Sequence, residues 1–168
     1  TDIGVKPARV GRATGVHCVV DAGSAGEANF AGLDSFVIQQ SAERVLAYLN
    51  IGPIGVTAAN RVSEYAVPEA MDEERFLACV EQYRPLIAGV KARVSGIIVG
   101  DKGMEILRWG QRVARKADLP LIVHIGEGPP DLAELLDAME PGDMATHCYH
   151  GKAGNSAQDG RIRRSLQA

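Results

Sequence analysis

What is missing narrows the field first. No stripe of Lys and Arg runs through the chain, and 18 basic against 21 acidic residues leave a formal charge of −3. The electrostatic footprint of a nucleic-acid binder is therefore absent. Apolar runs such as Leu119 to Ile125 fall far short of the roughly 20 residues that span a bilayer, so no membrane partner is expected. The first residues, Thr-Asp-Ile-Gly-Val-Lys, lack the charged and apolar regions of a signal peptide. Cys18, Cys79 and Cys148 are odd in number and widely spaced. That pattern argues against a disulfide framework and makes a reducing cytoplasm the expected location. No G-x-G-x-x-G follows the first apolar run, which weakens a dinucleotide-binding reading.

What remains is an ordinary globular composition, with 46% apolar and 23% charged residues. Its 168 residues suffice for one domain with a sizeable core. Short apolar, β-branched runs alternate with amphipathic stretches. Strands are expected at Gly15–Asp21, Arg44–Gly52, Leu86–Val94, Leu119–Glu127 and Asp143–Gly151. Helices are expected over Asn29–Gln40, Glu69–Tyr83 and Lys102–Ala117, and from Pro129-Pro130-Asp131 onward, with Asp131 as N-cap and Glu134 three residues later. Lys152–Gly160 reads as an exposed loop. Five strands each followed by a helix or the start of one imply right-handed crossovers and a parallel sheet. An open doubly wound sheet and a (β/α)₈ barrel both fit. A complete barrel takes about 250 residues, so a barrel reading makes this chain about five of eight units. The lack of an initiator Met and the helix-like start at Arg-Ser-Leu-Gln-Ala fit the expectation of a portion of a longer chain.

Chemistry collects at the C-terminal ends of the expected strands, the edge at which parallel α/β folds bind ligands. Asp21 ends the first strand, and Lys91, His124 and His147 lie late in the third, fourth and fifth. Buried parallel strands are nearly all apolar, so a lysine and two histidines on consecutive strands break the pattern, and such breaks tend to be functional. Singly, each has a plainer reading: a strand lysine is usually solvent-facing or ion-paired, and a strand histidine is usually a hydrogen-bonded core residue. His17, early in its strand and without a partner, keeps the plainer reading. Neutral imidazole is a good zinc ligand. A buried lysine loses its charge more easily, and its neutral amine can add carbon dioxide to give a carbamate that bridges two cations. A Schiff-base lysine is the competing chemistry, although it needs no pair of histidines.

Gly89-Val90-Lys91-Ala92-Arg93, Val123-His124-Ile125-Gly126-Glu127 and Thr146-His147-Cys148-Tyr149-His150-Gly151-Lys152 together resemble the amidohydrolase superfamily. They resemble most the dihydroorotase-like amidohydrolases and deacetylases that act on small acyl compounds. Val20-Asp21-Ala22-Gly23-Ser24-Ala25-Gly26 is similar to the same subgroup. The resemblance implies a partial (β/α)₈ TIM-type barrel, with residues 1–168 as its central part. It implies two divalent metal ions, zinc being expected, bridged by carboxylated Lys91, with His124 and His147 holding the second ion. The family's His-x-His strand and its general acid/base aspartate find no counterpart here, so the catalytic residue is expected outside this chain and these residues alone are expected to be inactive. The implied function is hydrolysis of an amide or ester of a small acyl compound through a metal-bridging hydroxide. A Schiff-base lyase or aldolase and a non-catalytic fragment are the alternatives. A small-molecule acyl substrate is the expected partner, and homo-oligomer formation stays open.

Among residues of lesser weight, Arg93 lies two positions after Lys91 and so shares its face. It is a candidate for binding a substrate carboxylate, with a structural ion pair as the equal alternative. Ser24 and its glycines read as a tight turn in preference to an anion nest. Cys148 is expected to face the helix layer and Trp109 to serve packing.

Overall fold

A computed structural model describes residues 3–59 and 61–151, together with the backbone of 157–158 and 161–162. Five strands form one sheet: β1 (Cys18–Asp21), β2 (Arg44–Asn50), β3 (Ile87–Arg93), β4 (Leu121–His124) and β5 (Met144–Thr146). Every neighbouring pair is parallel. The spatial order is the sequence order, β1 to β5. A doubly wound sheet reverses strand order at a switch point. Here each strand adds beside the one before it, which is how a barrel wall grows, so the sheet is an arc of a (β/α) barrel.

Helices occupy the crossovers: α1 (Phe30–Leu33), α2 (Glu73–Gln82), α3 (Gly103–Lys116) and α4 (Leu132–Ala138). Several boundaries differ from the sequence expectation. α1 covers only four residues and passes into a π-helix over Asp34–Ile38, where Gln39 N–H donates to Asp34 O, five residues back, at 2.9 Å. α2 begins at Glu73, later than Glu69, because the Asp72 carboxylate accepts from Arg75 N–H at 3.1 Å and caps the helix there. A short helix at Gly96–Val99 was not expected. Asp131 is the N-cap as expected, accepting from Ala133 N–H at 2.8 Å. The expected tail loop, Lys152–Gly160, falls mostly outside the described residues, but its Ala157–Gln158 pairs antiparallel with Arg161–Ile162 just beyond it.

Strand alternation divides the sheet into two faces. Val45, Ala47 and Leu49 of β2, Val90 and Ala92 of β3, and Leu121 and Val123 of β4 are buried on the helix-facing side. α3 lies against them. A side chain at Gly110 would come within 3.3 Å of Leu121 and 3.4 Å of Ala92, so the helix backbone sits close on the sheet. Leu107 and Val113 of α3 are fully buried in the same core. Trp109 meets Phe76 of α2 edge-on at 5.8 Å, which is packing, as expected. The opposite face, the concave side of the arc, carries Tyr48 and Asn50, then Gly89, Lys91 and Arg93, then Ile122 and His124, in matched register. No helix among the described residues is long and apolar enough to cross a membrane.

Leu107 is 0% exposed and has no room to be replaced without a void. Leu107→Ala is expected to lower stability by about 2–5 kcal/mol in urea unfolding. A loss below 1 kcal/mol would mean that α3 does not hold the sheet as described.

Candidate metal centre

β3 brings Lys91 into the concave face two residues before its end, flanked in register by Asn50 of β2 and Ile122 of β4. Lys91 is only 3% exposed. Gly23, in the turn after β1, closes over its stem: a Cβ there would lie 2.6 Å from Lys91 Cγ, and the residue has φ +101°. Glycine is therefore required at this position twice over, for its backbone and for its lack of bulk. The turn itself is held by Asp21, whose Oδ1 accepts from Gly23 N–H at 3.0 Å and Ser24 N–H at 2.7 Å. Those N–H groups are thus used within the turn, in line with the tight-turn reading of this loop.

His124 is the last residue of β4. His147 lies one residue beyond the end of β5, not within the strand as the sequence suggested. Its position matters because Thr146 is the register partner of His124 and shares its face. Simple alternation would turn His147 outward. Its φ of +68° breaks the alternation, and the two imidazoles meet at 4.6 Å between centroids, inclined by 65°. A non-glycine residue held at positive φ is uncommon, and such conformations collect at functional sites. Cys148 then packs against the core, as expected. His17 does not fit its assigned role: it is exposed, just ahead of β1.

The three side chains share one electrostatic character. Burial, then the nearby Arg93 cation, draws the Lys91 ammonium down to about 8, against a weaker pull upward from Glu64. Burial, then Lys91 and His147, draws His124 down to about 3. His147 is lowered by the same kinds of cause, burial first, although the residue is exposed and keeps more of its hydration. Near neutral pH both imidazoles are neutral, the state in which they ligate metals. Among the described residues no group of three or more His, Cys, Asp or Glu side chains could hold a metal ion. A metal here therefore depends on a third donor of another kind. A carboxylated Lys91 is such a donor, so the residues present fit a divalent metal.

Sequence reasoning missed Asn50 and Glu64. Asn50 is fully buried; its amide donates to Gly23 O at 3.2 Å and accepts from Gly52 N–H at 2.8 Å, tying together the loops after β1 and β2. Glu64 comes from the long β2–α2 connection and is buried. Its carboxylate lies 3.3 Å from Arg93 Nε, and burial raises its pKa more than Arg93 and Asn50 lower it. Arg93 thus shares the face of Lys91, as expected, but is engaged in an ion pair. A cavity of about 970 Å³ lies beside β1 and the π-helix, with Asp21, Phe36 and Glu43 in its lining, and none of Lys91, His124 or His147 borders it. The candidate centre sits instead on the open concave face of the arc.

No family model matches the chain. Relatives do. Deacetylases of Agrobacterium fabrum and Brucella anthropi are each 42% identical over 159 residues, 95% of this chain but 39% and 40% of theirs. A deacetylase of Enterococcus faecalis is 32% identical over 149 residues. Crystal structures of a dihydroorotase (42% identity, 92% of this chain, 41% of that one) and an adenine deaminase (30%, 96% and 44%) each superpose with a TM-score of 0.88. Fold and relatives together define a segment of an amidohydrolase-type barrel. The chain belongs to the amidohydrolase superfamily, in the subgroup of dihydroorotase-like amidohydrolases and deacetylases. It spans about two fifths of the length of the curated relatives it matches, 39% and 40% for the first two.

Lys91 has a testable signature in metal-free protein. The folded lysine releases its proton near pH 8, whereas the unfolded one does so near 10.5. Between those values the unfolded chain binds more protons, so stability rises with pH; below 8 the penalty of burying the charge is fully present. Lys91→Met is expected to stabilise the metal-free protein at pH 7 by about 1–3 kcal/mol, with the gain shrinking toward pH 10. Urea unfolding at both pH values checks this, and an equal gain at both would trace it to packing instead.

Proposed function

We propose that the protein is a metal-dependent hydrolase that cleaves an amide or ester bond in a small acyl compound, with deacetylation as the first choice of reaction. The observation that carries this reading is the meeting of His124 and His147 at 4.6 Å on the face that buries Lys91. The activity is assigned to the protein at full length, since the matched relatives are about two and a half times as long as this chain. The deacetylase relatives support deacylation, and the dihydroorotase and adenine deaminase neighbours support hydrolysis at a carbon–nitrogen bond.

Lys91 would act first on carbon dioxide. Its neutral amine bonds to the carbon, one proton leaves for solvent, and the resulting carbamate carries one negative charge on two oxygens. Desolvation favours this, because it makes the neutral amine accessible near pH 8. His124 and His147 would donate imidazole lone pairs, and the positive φ of His147 aims its ring at the same point as that of His124. When bound, a metal pair lowers the pKa of water and polarises an acyl carbonyl. Gly23 and Asn50 would keep the Lys91 stem in place. Arg93, at the end of β3, remains a candidate contact for a substrate carboxylate through the part of its guanidinium that Glu64 does not occupy. The proton that the leaving group requires would come from a residue outside this chain.

Lys91→Ala, His124→Ala and His147→Ala are each expected to reduce bound metal and to lower hydrolysis on the order of a hundredfold or more, about 2.7 kcal/mol of barrier. Elemental analysis of the protein purified without chelators is the deciding measurement. Less than a stoichiometric amount of zinc, manganese or iron would sink the proposal. The lowered Lys91 amine also suits a Schiff-base lysine. Borohydride trapping of a keto acid on Lys91 would overturn the metal reading in favour of that one.

A further inference from the structure

The residue pair Glu64-Tyr65 grips Arg93 at two points. The Glu64 carboxylate, 1% exposed, faces Arg93 Nε at 3.3 Å, with the arginine side chain 14% exposed. Tyr65 Oη accepts from the Arg93 backbone N–H at 2.9 Å. The loop is pressed into place from behind: a Cβ at Gly52 would lie 2.7 Å from both Glu64 Cβ and Glu64 O. Arg93 itself is the register partner of His124 and lies two residues from Lys91 on the same face. Its cation therefore sets up a positive field on the face that carries Lys91 and His124. A divalent ion placed among Lys91, His124 and His147 would meet the same field as a repulsion. The only salt-bridge partner of Arg93 among the described residues is Glu64.

We propose that Glu64 is a positioning residue for the metal centre: it holds the Arg93 guanidinium against the β2–α2 loop and offsets its charge, so that the cation does not oppose metal binding at Lys91, His124 and His147. The inference rests on the metal reading above. It places Glu64 outside the ligand set and makes its effect pass through Arg93, as outer groups around metal ligands do. In that position Glu64 should matter only while Arg93 is charged and present. A carboxylate serving the fold alone would matter whether or not Arg93 remains. Replacing both members of a buried ion pair by neutral residues of similar volume is commonly tolerated, so the double variant separates the two roles.

The experiment uses the protein at full length and measures zinc affinity by competition with a chromophoric chelator, with thermal unfolding of the zinc-free forms alongside. Glu64→Gln is expected to weaken zinc binding by about 10–100-fold. Adding Arg93→Met to it is expected to restore affinity to within about threefold of the parent, following the non-additivity of coupled sites. Unchanged affinity in Glu64→Gln, or a double variant as weak as the single one, overturns the proposal while leaving the metal reading intact. A parent protein that binds none of zinc, manganese or iron overturns both. Should Glu64→Gln fail to fold, the double variant decides alone: near-parent affinity supports the proposal, and a tenfold loss refutes it.

Discussion

A lysine amine is kept out of water on the concave face of β3, and much of the surrounding structure follows from that. Desolvation of an ammonium is expensive, and the elements around Lys91 leave it only 3% exposed. The β1 turn does so by placing glycine over the lysine stem, because any side chain at that point would collide with Lys91. Asn50 does so from the neighbouring strand while joining two loops with its amide. Burial, and behind it the nearby cations, lowers His124 and His147 as well. Burial of each group, with mutual repulsion second, thus sets the chemical state of the candidate centre.

Stability and chemistry are assigned to opposite faces of the same five strands. The helix-facing side is a continuous apolar core under α3, with Val90, Ala92, Leu121 and Val123 all fully buried. The concave side carries polar residues at the same strand levels. Because successive residues point to opposite sides, a strand can supply a core residue and a site residue in adjacent positions. Val90 and Lys91 are such a pair. The arrangement lets the core remain apolar while the site gathers charge only ångströms away, and the ion pair of Glu64 with Arg93 balances part of that charge.

The strands were legible because parallel strands covered by helices read as short apolar runs, and α3 because its buried residues recur with helical spacing. Helix limits were less so. Asp72 ends the loop before α2 with a side-chain cap, a local event that outweighs the periodicity of the residues around it. The π-helical turn at Asp34–Ile38 leaves no pattern that distinguishes it from an α-helix. In the site, Lys91 and His124 stood out as polar residues in apolar runs. Asn50 and Glu64 did not, since an Asn at a strand end and a Glu in a loop are ordinary until their burial is known.

By itself the sequence determined the class of sheet and the order of its elements, and it singled out Lys91, His124 and His147 as candidates, because hydrophobic alternation and residue chemistry are local properties. Tertiary structure decided between an open sheet and a barrel arc, since that depends on which strands lie side by side. It also decided the approach of His147 to His124, which a single backbone angle of +68° achieves against the expected alternation. And it decided that Glu64, 29 positions away in the chain, would become the counter-ion of Arg93. Contacts of that kind arise from how loops pack over strand ends, and no periodicity within either segment encodes them.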